Sequence, residues 1–76
     1  MKGKRVLVTG ASSGIGFQIA SDFLIRGATV GAQYRHDKKG AERLLNVAAY
    51  GRCRLFQADF SDSAQVMSLW GNFTSW

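Results

Sequence analysis

The chain has 76 residues, enough for one small domain and not for two. Its 46% hydrophobic and 20% charged residues describe a globular chain, not a disordered one. One cysteine (Cys53) and one histidine (His36) exclude an internal disulfide and a multi-thiolate zinc site. The net charge of +5 is uneven: residues 1–54 carry all ten Lys/Arg with three acids, residues 55–76 only Asp59 and Asp62. Such a basic front half suits a phosphate-bearing partner, a nucleotide or a nucleic acid.

The basic start, Met1-Lys-Gly-Lys-Arg5, is followed by an apolar run of only Val6-Leu7-Val8. That is too short for a signal-peptide core, and no stretch approaches the ~18 apolar residues of a membrane span. With an unpaired cysteine, these features predict a reducing cytoplasm and no membrane partner. Residues 5–9 read as a strand buried on both faces, because their apolar residues are continuous. Gly10-Ala-Ser-Ser-Gly14 is a turn by composition. Over residues 15–26 the period becomes helical, with Ile15, Ile19 and Phe23 on one face and Ala20 and Leu24 beside them. Gly27 stops that helix.

Residues 29–34 read as a second strand, in which Gly31 is no great obstacle. Asp37 is the expected N-cap of a second helix over residues 38–50, ended by Gly51, with Leu44, Leu45 and Ala48 on its core side. Residues 54–58 form a third strand. Asp62-Ser-Ala-Gln65 resembles a capping box and opens a third helix. Three strand-helix units in series imply an α/β fold with a parallel sheet and right-handed crossovers, a partial Rossmann (doubly wound) arrangement. Residues 1–76 then constitute an incomplete dinucleotide-binding domain, the first half of that fold. Cys53, at a strand beginning, is expected to be a small buried or half-buried side chain.

The glycine turn carries the functional signal because it lies between a buried strand and a helix start. Gly10 lets the chain leave the strand sharply, Gly14 removes a side chain where backbone must approach a pyrophosphate, and Gly16 lets the helix sit close to the sheet. Free N–H groups around Gly14, Ile15 and Gly16, at the positive end of the helix, attract phosphate oxygens. Ser12 and Ser13 add hydroxyl donors. The competing reading is an ordinary tight strand-to-helix connection.

Thr9-Gly-Ala-Ser-Ser-Gly-Ile-Gly16 resembles the Thr-Gly-x-x-x-Gly-x-Gly signature of the short-chain dehydrogenase/reductase family, most of all its 3-oxoacyl-carrier-protein reductase type. The resemblance covers the whole chain and implies a nicotinamide cofactor. At the end of the second strand an Asp or Glu would hydrogen-bond the ribose 2′-hydroxyl of NAD, whereas an Arg accommodates the 2′-phosphate of NADP. The acidic position falls on Tyr34, and Arg35 follows it, so NADP is favoured over NAD. Ser13 departs from this pattern, since NADP-preferring relatives often have a basic residue there. The resemblance further gives Asp59 the role of accepting from the adenine amino group, and the Phe60 backbone N–H a contact with the ring. Asp62 is the expected cap, which leaves Asp59 for the ligand.

Tyr34-Arg-His-Asp-Lys38 matches the Tyr-x-x-x-Lys of the family's catalytic signature and is rejected. That motif belongs on one helix far downstream, where the lysine and cofactor lower the phenol's pKa from ~10. Here Tyr34 ends a strand and Lys38 begins a helix. No other such pair is present, so the resemblance implies a cofactor half-site of an NADP-dependent oxidoreductase that reduces a carbonyl or oxidises an alcohol, inactive without the remainder. A homo-oligomer and a small-molecule substrate are implied for the complete protein only. A short non-catalytic nucleotide-binding module is the alternative. Nucleic-acid binding is disfavoured because Phe17, Phe23 and Phe56 fall within apolar patterns rather than among basic residues. Without a fourth strand, Val6-Leu7-Val8 is expected to be an exposed edge, and Trp70, Phe73 and Trp76 to lack cover. That predicts a truncated piece of a longer protein, or one that depends on a partner.

Overall fold

The computed structural model describes residues 3–47 and 51–76. Strand β1 (Arg5–Val8) leads through the glycine turn into helix α1 (Gly14–Ile25), then β2 (Thr29–Tyr34) and α2 (Lys38–Glu42), which tightens into a 3₁₀ turn over Arg43–Asn46. Strand β3 (Cys53–Gln57) and helix α3 (Ser63–Ser75) complete the chain. The strands make one parallel sheet in the order β1-β2-β3, with Arg5 opposite Thr29 and Val30 opposite Cys53. This is the α/β arrangement that the alternating pattern predicts.

Side chains alternate across the sheet as the strand period requires. Val8, Val30 and Ala32 pack with Ala20, Leu24 and Leu44 on one face, with Val6, Cys53 and Leu55 against them. On the other face Phe56 and Ala58 pack with Leu69 and Phe73, flanked by Leu7 and Trp76. Helices therefore cover both faces, which is why β2, in the middle, has four consecutive buried residues.

Helix α1 is rotated relative to the expectation. Ala20 and Leu24 are fully buried, whereas Ile15 is 81% and Ile19 45% exposed, and Phe23 is only half-buried. The reason lies at Gly16, where a Cβ would overlap the carbonyl of Gly10. That contact sets the face of the helix that meets the sheet, so the i, i+4, i+8 row of Gly16, Ala20 and Leu24 turns inward.

The second helix is also shorter than the pattern suggests. Asp37 caps it, its carboxylate accepting from the Gly40 N–H at 2.9 Å, but α2 has only five residues before the 3₁₀ turn. Gly40, Asn46 and Val47 are all poor helix formers. Gly40 is pressed so tightly onto the Ser12 carbonyl and the Asp37 carboxylate that a Cβ would clash with both. Leu44 is buried as expected, Leu45 is exposed, and Ala48 with the rest of the predicted helix end lies outside the described residues.

Helix α3 begins at Asp62, whose Oδ1 accepts from the Ala64 N–H at 3.0 Å. The box is not reciprocal: Gln65 donates Nε2 to the Asp62 carboxylate at 3.2 Å and turns its Oε1 to the Asp59 N–H at 2.8 Å. Phe73 is buried and meets Phe56 edge-to-face with centroids 6.2 Å apart, while Trp76 meets Phe56 at 5.8 Å. Of the three aromatics expected to lack cover, only Trp70 stands largely exposed, at 60%. Likewise Val8 is buried and Val6 and Leu7 are half-buried. What β1 leaves open is its outer hydrogen-bonding edge, which has no strand partner among the described residues.

Candidate functional site

The ends of all three strands point to one side of the sheet, and the loops that follow them meet there. The turn after β1, the segment after β2 and the segment after β3 enclose an open cleft of about 580 Å³. In open α/β sheets, the crevice outside the carboxyl ends of the strands is where ligands bind. Of the residues singled out in the sequence, Gly10, Ser12, Arg35, Asp59 and Phe60 line this cleft. Ser13, Gly14, Ile15 and Gly16 do not line it; they form the start of α1, directly beyond Ser12.

The turn has the conformation its glycines permit. Gly10 and Gly14 have φ of 62° and 59°, and a Cβ on Gly14 would project into open space at the mouth of α1. The first N–H groups of α1 have no intrahelical acceptor. Ser13, the N-cap residue, makes no side-chain cap bond, so its hydroxyl is uncommitted. This end of the helix therefore presents N–H donors, a free hydroxyl and positive dipole to an anion.

The turn is braced from two sides. Arg43 donates to the Ser12 carbonyl at 3.0 Å and to that of Gly40 at 3.2 Å, with its guanidinium 4.1 Å from the Phe17 ring centroid. From the other side Gln33, only 4% exposed, reaches from β2. Its Oε1 accepts from the Gly10 N–H at 2.7 Å, its Nε2 donates to the Ala58 carbonyl at 2.7 Å, and its own carbonyl accepts from the Ala11 N–H at 2.9 Å. The sequence reading missed Gln33 and Arg43. The available signal for Gln33 was an amide in an otherwise apolar, doubly buried strand, where a buried polar group must find partners.

Across the cleft Arg35 and Asp59 form an ion pair, Nε to Oδ2 at 3.4 Å. Asp59 also accepts through Oδ1 from the Ser61 N–H at 2.9 Å and the Ser61 hydroxyl at 2.7 Å. Those two hydrogen bonds, and then the charges of Arg35 and His36, hold its carboxyl below the usual value. The sequence reading left Asp59 for a ligand; in the structure both its oxygens are already engaged. Oδ1 is held by Ser61 in the turn between β3 and α3 and Oδ2 by Arg35, with further lone pairs remaining on each. Phe60 is half-exposed beside it. Tyr34 ends β2 and Lys38 begins α2, so the rejected Tyr-x-x-x-Lys pair is divided between two elements. Cys53 is half-buried, and burial pushes its thiol up to about 11, which leaves it neutral and a poor nucleophile near pH 7. Among the described residues no group of three or more His, Cys, Asp or Glu could hold a metal ion.

Known proteins place this geometry in context. The chain is 39% identical over 71 residues to 3beta-hydroxysteroid dehydrogenase 1 of Eggerthella lenta, covering 91% of this chain and 27% of that protein. It is 39% identical over 69 residues to the rhamnolipids biosynthesis 3-oxoacyl-[acyl-carrier-protein] reductase of Pseudomonas aeruginosa, with 91% and 27% covered. A dehydrogenase/reductase from Sinorhizobium meliloti superposes with a TM-score of 0.90 at 28% identity, over 99% of this chain and 31% of its own. A blue fluorescent protein from a metagenomic library, in complex with NADPH, gives 0.85 at 36% identity, over 95% and 31%. The 3-ketoacyl-(acyl-carrier-protein) reductase from Brucella melitensis, complexed with NADH, gives 0.85 at 36%, over 97% and 30%. The chain thus spans less than a third of the length of these relatives. The short chain dehydrogenase family model matches residues 4–74, nearly the whole chain from the basic start to the end of α3, and the chain belongs to the short-chain dehydrogenase/reductase family.

Proposed function

We propose that residues 1–76 supply the adenosine and pyrophosphate half of a nicotinamide-dinucleotide site, with NADP preferred over NAD, in an oxidoreductase that reduces a carbonyl or oxidises an alcohol. The observation that carries this reading is the convergence of the glycine turn, Arg35 and Asp59 on one cleft. The residues fit such a ligand. The start of α1 offers its N–H groups and the Ser13 hydroxyl to the pyrophosphate, with Gly10, Ser12, Ile15 and Gly16 shaping the approach and Gly14 leaving the space open. Asp59 and the Phe60 backbone take the adenine.

Arg35 carries the preference for NADP. Its contact with Asp59 uses Nε, which leaves the two terminal nitrogens of the fork for paired, charge-assisted hydrogen bonds to a 2′-phosphate. No carboxylate stands at Tyr34 to repel that phosphate. The bound nicotinamide supplies the hydride chemistry; this chain's own residues bind and orient. Substrate recognition, proton transfer and homo-oligomer contacts fall to the remainder of the complete protein; a cytoplasmic location fits a Cys53 thiol that is free within these 76 residues. No helix among the described residues is long and apolar enough to cross a membrane.

The test is Arg35→Ala in the complete enzyme, with Kd for NADPH and NADH measured by fluorescence titration. NADPH binding should weaken roughly 10- to 100-fold, the scale of charged hydrogen bonds, with NADH changed far less. Equal losses would remove the case for a 2′-phosphate contact.

A further inference from the structure

We propose that Gln33 is a positioning residue, which holds the phosphate-binding turn in register with the adenosine end of the cleft. The proposal rests on the dinucleotide reading given above. One buried amide bridges two loops that no strand pairing joins directly: its oxygen holds the Gly10 N–H and its nitrogen holds the Ala58 carbonyl, both at 2.7 Å. Gly10 opens the turn that leads to the α1 N-terminus, and Ala58 immediately precedes Asp59. β1 and β3 lie on opposite sides of β2, so the loops following them meet across the end of β2. Its backbone gives one bond to each, the Gln33 carbonyl accepting from the Ala11 N–H and the Tyr34 carbonyl from the Ala58 N–H, and the Gln33 side chain adds a direct link between Gly10 and Ala58.

A primary amide is the side chain that meets both demands, one acceptor and one donor at opposite corners of a planar group. The Ala58 end of the bridge is buried and the Gly10 end partly so, and the Ala58 carbonyl in particular has no ready substitute partner in water. A ligand that reaches from adenine to pyrophosphate spans both loops and feels their spacing. One that occupies the adenosine end alone does not. Gln33 itself lines the cleft, but both ends of its amide are committed to Gly10 and Ala58. It therefore acts on the affinity for the whole dinucleotide through the geometry of those two loops.

The experiment compares NADPH, NADH and free adenosine as probes of the complete protein and its Gln33→Met variant, which keeps the length and apolar bulk and loses both hydrogen bonds. Dinucleotide affinity should fall about tenfold, the scale of hydrogen bonds lost from a buried site, while adenosine affinity changes less than about twofold. Equal losses for adenosine and dinucleotide, or no loss for either, overturn the proposal. A wild-type protein that binds neither dinucleotide overturns the site and the proposal with it.

Gln33→Glu supplies a second reading should the Met variant fail to fold. A protonated carboxyl accepts from Gly10 and donates to Ala58; an ionised one cannot donate and places charge against a carbonyl. Arg35, His36, Asp37 and Asp59 line the same cleft in both proteins, so affinity is expressed relative to wild type at each pH. That ratio should recover towards pH 5 and fall towards pH 8, and a flat ratio overturns the proposal. In the wild type, the Gly10 amide should exchange slowly with solvent; exchange at the rate of an open loop would also overturn it.

Discussion

Gly14 begins α1 with φ of 59° and open space where a Cβ would stand. A β-branched residue there is strained by about 1–2 kcal/mol and fills the volume facing the first-turn N–H groups. Gly14→Val in the complete enzyme should therefore abolish binding of NADP and NAD alike, measured by titration of the reduced cofactor's fluorescence. Retained affinity would mean that the pyrophosphate lies elsewhere. Asp59 behaves differently. Its carboxyl is held low by Ser61, Arg35 and His36, so the ionised form contributes to stability above the unfolded value near ~3.9. That contribution is lost only as pH falls through the lowered folded value. The Arg35–Asp59 pair is accordingly intact at neutral pH, and a 2′-phosphate meets an arginine already oriented across the cleft.

At the scale of elements, β2 was legible end to end, because Thr29, Val30 and Tyr34 favour strands and Gly27 breaks the helix before it. Yet the role of its glycine was not. A Cβ on Gly31 would stand 2.7 Å from Phe73 Cδ1 and 3.0 Å from Phe56 Cε2, so the bare backbone is what seats α3 on the sheet. Gly31→Val should destabilise the complete protein by about 1–3 kcal/mol through overpacking, read as a lower chemical-denaturation midpoint. An unchanged midpoint would show that α3 can slide away at no cost. The rotation of α1 was hidden for the same kind of reason. Periodicity gives a helix several candidate faces, and a single backbone contact at Gly16 decides among them. The early narrowing of α2 depends on Gly40 meeting Ser12, 28 residues back in the chain, a proximity no local pattern contains. The glycine turn was legible because its spacing is local, and the resemblance it carried pointed to Arg35 and Asp59, which the structure brings to the same cleft. Gln33 and Arg43 were not legible, because their partners lie on other elements.

For the whole molecule, the charge balance takes on a different meaning. Much of the basic excess is spent internally: Arg5 donates to the Phe73 carbonyl at 2.5 Å and sits 5.2 Å from its ring, Arg43 holds Ser12, and Arg26 pairs with Asp22 at 3.1 Å. The positive charge left at the cleft is Arg35, which shares the lining with Asp37 and Asp59. The sheet meanwhile ends in two strands, β1 and β3, each paired on one side only among the described residues. The 76-residue polypeptide by itself should therefore self-associate at micromolar concentration through these edges, seen as a mass that rises with concentration in light scattering. A constant monomer mass would show that the side chains at the edges suffice to block pairing. Arg52 adds a last consequence. Its guanidinium donates to the carbonyls of Leu24 and Ala28, at 3.0 and 2.9 Å, so the residue just before β3 closes the end of α1. The last turn of α1 and the start of β3 are thereby tied through one side chain, which gives the sheet's far strand a direct hold on the helix whose other end carries the glycine turn.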